Sequence, residues 1–155
     1  MKLSGRFVLV FQWIAPVVLI GWVLFGRGLL GAPLGWLAAI GLFLSPVALL
    51  ALYIPPVLVL FDREARMSAR TRQGYEIASY TLWGVLVVMG IVIVDGGDAG
   101  PVGSLLTMWT GMDAGAGEVF LVPVMLLAVV ALAAQLVMAV VGIVVARKTA
   151  PVAAR

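Results

Sequence analysis

Four long stretches of the chain carry no charged residue: residues 7–25, 34–61, 77–94 and 119–146. They are 19, 28, 18 and 28 residues long. A helix needs about 20 apolar residues, rising about 1.5 Å each, to cross the roughly 30 Å hydrocarbon layer of a bilayer. The pattern predicts an all-α integral membrane protein, a bundle of four transmembrane helices forming one membrane domain over residues 1–155. The first and third stretches just reach across. The second and fourth are longer than needed and must tilt, kink or project beyond the hydrocarbon.

The second stretch has the means to kink. Pro46 lies inside it after Ser45, and Pro55 and Pro56 lie near its end. Each proline removes a backbone donor and crowds the preceding turn. A regular helix is expected from Leu34 to about Tyr53, with a bend or break at residues 54–56. Pro33 and Pro123 fall at or near first-turn positions, where proline is tolerated. The first stretch exceeds the apolar length of a signal peptide and no A-x-A-like site follows, so a retained helix is expected.

The charges sort by connection. Lys2 and Arg6 precede the first stretch, Arg63, Arg66, Arg70 and Arg72 separate the second and third, and Arg147, Lys148 and Arg155 follow the fourth. With four crossings, nine of the ten basic residues share one side and only Arg27 falls on the other. The positive-inside rule then places both termini and residues 62–76 in the cytoplasm. Asp95, Asp98, Asp113 and Glu118 fall outside. The first outer connection, residues 26–33, is short, so the first two spans form an antiparallel pair. The second, residues 95–118, is Gly-rich around the apolar run 105–112, which holds Trp109. That run is too short to span and is expected to be interfacial or re-entrant.

Composition supports the same class. The chain is 64% hydrophobic and 11% charged, less than half the roughly 25% charge of an average soluble domain. There is no cysteine or histidine, which excludes disulfides, thiolate nucleophiles, imidazole bases and Cys/His metal sites. Richness in Ala, Gly, Val and Arg suggests a bacterial plasma (inner) membrane. The net charge of +3 is explained by topology, and no nucleic acid partner is expected.

Candidate chemistry is sparse. The four arginines 63, 66, 70 and 72 are read first as a topology anchor, with Asp62 and Glu64 partly pairing them. The functional alternative is contact with anionic lipid or a partner, which Trp109 could share on the opposite side. The acids of residues 95–118 lack a calcium-loop pattern, so no metal is expected. Polar residues within the spans are Gln12, Ser45, Tyr53, Ser79, Tyr80, Thr81 and Gln135. None is ionised at neutral pH, which disfavours an ion-coupled carrier. Glu76 and Asp95 sit at helix ends, and Glu76 is expected at the interface. Trp13, Trp22, Trp36 and Trp83 fit aromatic belts.

In the fourth stretch, Ala128, Ala131, Gln135, Ala139 and Gly142 share one helical face. Small residues admit close helix approach and a glutamine can bond across the contact, so this face is a packing seam within the bundle or against a partner. No phosphate-loop, hydrolase, zinc-protease or dinucleotide motif occurs, and no cofactor is expected. The leading expectation is a non-catalytic accessory or scaffold subunit of a membrane complex, bound to other subunits or to itself. The alternative is an oligomeric small transporter, channel or holin-like pore for a neutral or lipophilic solute. An intramembrane enzyme using Glu76 and Asp95 is weakest, because those acids lie on opposite sides.

Overall fold

A computed structural model describes residues 5–148; the expectations placed on Lys2 and Arg155 lie outside them. The described residues are mostly helical, with one short hairpin. Helix α1 (Gly5–Phe11) and helix α2 (Ala15–Gly21) are followed by a π-helical turn (Trp22–Gly26) and the short α3 (Arg27–Leu29). Then come α4 (Trp36–Val59), α5 (Arg63–Ser68) and α6 (Gln73–Val92). Strands β1 (Asp95–Gly97) and β2 (Gly100–Val102) pair antiparallel, before α7 (Leu105–Thr110) and α8 (Ala114–Lys148). Helices α4, α6 and α8 are long and apolar enough to cross a membrane. A fourth such segment arises if α1 and residues 15–29 count as one bent span.

Two proline expectations require correction: no helix break falls at residues 54–56, and Pro123 lies inside α8 rather than near its first turn. Helix α4 is unbroken through Pro46, Pro55 and Pro56 to Val59. Pro46 cannot donate to the Leu42 carbonyl, but the Ser45 hydroxyl donates to it instead at 2.7 Å, so the lost backbone bond is replaced locally. The break falls in the first segment, which looked plain in sequence. There α1 and residues 15–29 meet at 63°, across the turn 12–14. Pro16 stands at the start of α2, where its missing N–H costs nothing. The turn tightens into i→i−3 bonds, with Trp13 N–H on Val10 O at 3.3 Å and Ile14 N–H on Phe11 O at 2.9 Å. The Trp13 carbonyl accepts from the Tyr53 hydroxyl of α4 at 2.9 Å, so the break is stitched to the neighbouring helix.

Helix α6 is central. It packs against α8, α1, α2 and the π-helical turn, and buries Tyr75, Ala78, Ser79, Leu82, Leu86 and Gly90. Gly90 admits the Trp22 indole, because a Cβ there would stand 2.6 Å from Trp22 Cδ1. The same indole N–H donates to Val87 O at 2.9 Å. Trp22 is therefore a helix-packing residue as well as a candidate belt residue. The core consists of Ala15, Leu19, Leu52, Leu82, Leu86 and Ala131, with a second cluster of Val8, Val59, Ala65, Tyr75 and Ala139 nearer α5. By contrast α4 and α8 are largely bare, with Phe43, Val47, Leu50, Val119 and Val129 exposed.

Candidate functional site: a polar centre between two tethered ends

The fourth-stretch seam faces inward. Ala131, Gln135, Ala139 and Gly142 of α8 are buried, and Ala128 packs beside the core. Helices α6 and α4 cover this face. Gln135 is 2% exposed and joins a cluster drawn from three parts of the chain. Its Nε2 donates to Ser79 Oγ at 2.8 Å and, at 3.4 Å, to the Tyr75 hydroxyl. Tyr75 donates to Gln12 Oε1 at 2.8 Å. Ser79 donates to its own helix at Tyr75 O, 2.8 Å away. Gln12 sits in the turn 12–14 and ties back to Leu9 O at 3.0 Å. The break in the first segment thus delivers an amide side chain to the middle of the bundle.

One atom of the cluster is unmatched. Gln135 Oε1 is buried without a partner among the described residues. It lies beside a cavity lined by Gln12, Gln135, Pro16, Leu52, Pro56 and Trp83, with about 10 Å³ of room for a water-sized occupant. That is about the space of one water molecule. The centre holds amides and hydroxyls, so it can accept and donate hydrogen bonds but supplies no acid–base pair near neutral pH.

The Arg-rich end is organised around Asp62. Its carboxylate caps α5, accepting from Glu64 N–H at 3.0 Å and Ala65 N–H at 3.4 Å. It also accepts from Arg72 Nε at 2.8 Å, and Arg72 pairs with Glu64 as well. The Asp62 hydrogen bond holds the Arg72 guanidinium above its usual pKa. Gly142 belongs to this arrangement, because a Cβ there would lie 2.7 Å from Asp62 Oδ2. Of the four arginines singled out in sequence, Arg72 alone engages the two acids, while Arg63, Arg66 and Arg70 are exposed. Glu76, expected at an interface, is 5% exposed. It packs against Gly5, 3.4 Å from the Thr71 hydroxyl. Thr71 N–H donates to Gly5 O at 3.3 Å, tying the start of α1 to the α5–α6 connection.

The hairpin end holds a pair that sequence reasoning did not find. Arg27, placed in an outer connection by sequence, is fully buried and forms an ion pair with the buried Asp95. Arg27 Nη1 also donates to Ile93 O at 3.3 Å. Asp95 accepts from three backbone N–H groups: Gly35 at 2.7 Å, Leu37 at 2.6 Å and its neighbour Gly96 at 2.8 Å. It therefore caps α4, whose N-cap residue is Gly35. The cap requires glycine, since a Cβ on Gly35 would lie 2.8 Å from Asp95 Cγ. Asp98 accepts from Trp36 Nε1 at 2.8 Å, so the β1–β2 turn is pinned to α4 at two points. The available signal was that Arg27 is the lone cation of its side, and a lone cation among acids invites a partner.

Helix α7 is capped by Ser104, which accepts from Thr107 N–H at 3.2 Å, and buries Leu105 and Thr107. Trp109 is exposed and joins neither tether. An open groove of about 310 Å³ is lined by Pro33, Ser104, Thr107, Met108, Met112 and Asp113. Among the described residues no group of three or more His, Cys, Asp or Glu is placed to hold a metal ion. The chain matches no protein-family model, and no curated protein or solved structure shows significant similarity to it.

Proposed function

We propose that this chain is a multi-pass, non-catalytic subunit of a bacterial inner-membrane complex, with the Arg-rich end cytoplasmic and four passages through the bilayer. One observation carries the reading. Most of the buried polar side chains are spent on holding the chain together, while two long apolar helices are left bare. Asp95 and Asp62 cap helices and take arginines. Gln12, Tyr75, Ser79 and Gln135 bond to one another. Helices α4 and α8 bury only 11% and 17% of their most apolar windows, against 44% for α6.

The small-residue seam is occupied within the chain, so it is not the surface offered to a partner. The exposed face of α4, with Phe43, Val47 and Leu50, is the contact surface we assign. The pore alternative draws on Gln135 and its unmatched oxygen. Within one chain the central cavity has room for about one water, so a pore would have to run between copies. A photo-crosslinking residue at Phe43, Val47 or Leu50 should capture one discrete partner in membranes, and the same residue at Ser68 should not. Capture of lipid alone from all three α4 positions would overturn the reading.

A further inference from the structure

We propose that the Arg-rich end is a binding surface for anionic phospholipid headgroups, built from Arg63, Arg66 and Arg70 together with Arg6, Arg147 and Lys148. The argument begins with the acids. A basic loop that neutralises itself offers little to a ligand, and Asp62 and Glu64 are present to do so. In the structure Arg72 takes both carboxylates, and Glu76 is buried against Gly5 and Thr71. The remaining six cations are exposed, and none has an ion pair among the described residues. Two of the acids of this end are taken by one arginine, the third is buried, and the charge of the six cations faces outward.

The six belong to one end of the molecule. Arg6 follows Gly5, whose carbonyl is bonded by Thr71, next to Arg70. Gly142 abuts Asp62, and Arg147 and Lys148 lie about one and a half turns farther along α8. Apolar side chains are interleaved with the cations: Met67 is 76% exposed, Phe61 64% and Phe7 49%. A soluble polyanion would leave these in water. A lipid surface covers both kinds, placing charge at the headgroups and apolar groups at the acyl boundary.

The test uses the full chain in nanodiscs of equal phosphatidylglycerol and phosphatidylcholine, with lipids retained on release read by native mass spectrometry. The wild type should retain phosphatidylglycerol preferentially. R63Q/R66Q/R70Q should lose about a hundredfold in that preference, at about 1 kcal/mol per basic residue. R6Q/R147Q/K148Q, which leaves the α5 loop intact, should lose a similar amount. R63K/R66K/R70K should keep most of it, because a headgroup surface reads charge. No preference in the wild type, equal retention by wild type and both glutamine variants, or displacement of the lipid by millimolar inorganic phosphate would overturn the proposal. The inference rests on the membrane reading but not on the accessory role: failure of the wild type to enter discs would overturn the membrane reading and this proposal together, whereas failure of the crosslinking test leaves the lipid result standing.

Discussion

Arg27 and Asp95 show how much one side chain can hold. Both are buried, and Asp95 accepts from three backbone amides besides the guanidinium. Removing one partner strands a buried charge, which costs roughly 3–5 kcal/mol. Asp95→Asn should therefore lower the melting temperature in detergent sharply, and Asp95→Asn with Arg27→Met should recover part of the loss. Ser45→Ala tests a smaller term. It removes the hydroxyl that replaces the Pro46 bond, at about 1 kcal/mol, and should lower the melting temperature by a correspondingly small amount in the same assay. Ala69 offers a gain. It ends α5 in the left-handed region at φ 49°, where glycine carries no Cβ penalty. Ala69→Gly should raise stability by about 1 kcal/mol in the same melting assay.

At the scale of elements, periodicity and local chemistry parted company. The 3- and 4-residue recurrence of Ala131, Gln135, Ala139 and Gly142 was legible because a helix must bury its small-residue face somewhere. The partner of that face was not legible, because α6 supplies Ser79 and Tyr75 from about 60 residues away. Proline counting misled. Pro55 and Pro56 are buried inside an unbroken helix, whereas Pro16 starts a new one. The Pro46 gap is filled by the serine beside it and the first break is held by a tyrosine from α4, and a single segment does not display its partners on other helices. Gly142→Leu should separate α8 from Asp62, freeing Arg72 and lowering stability by roughly 1–3 kcal/mol as an overpacked contact. Its melting transition checks the sign.

At the scale of the molecule, apolar length was enough to expect a helical chain; four spans were expected, and three helices, or four if the bent pair is one span, are long and apolar enough. Pairing of Asp62 and Glu64 with a loop arginine was within reach, but Arg27–Asp95 and Thr71–Gly5 were not, since each joins residues far apart in sequence. Orientation has a direct check. The chain contains no cysteine, so each introduced thiol reports alone. In the proposed topology Met67→Cys should react with a membrane-impermeant reagent only after the cytoplasmic side is opened. Met112→Cys should react in intact cells. Reaction of both from one side would remove the four-passage arrangement.

The bond from Asp95 to the start of α4 also bears on how the chain is made. During synthesis, Arg27 and the first amides of α4 emerge some 60 residues before the carboxylate that satisfies them. Until that residue arrives, the N-terminal half carries an unmatched cation and an open helix end. The N-terminal half is therefore incomplete until that residue arrives. A chain severed within residues 62–72 should yield two fragments that are degraded when made separately and persist when made together.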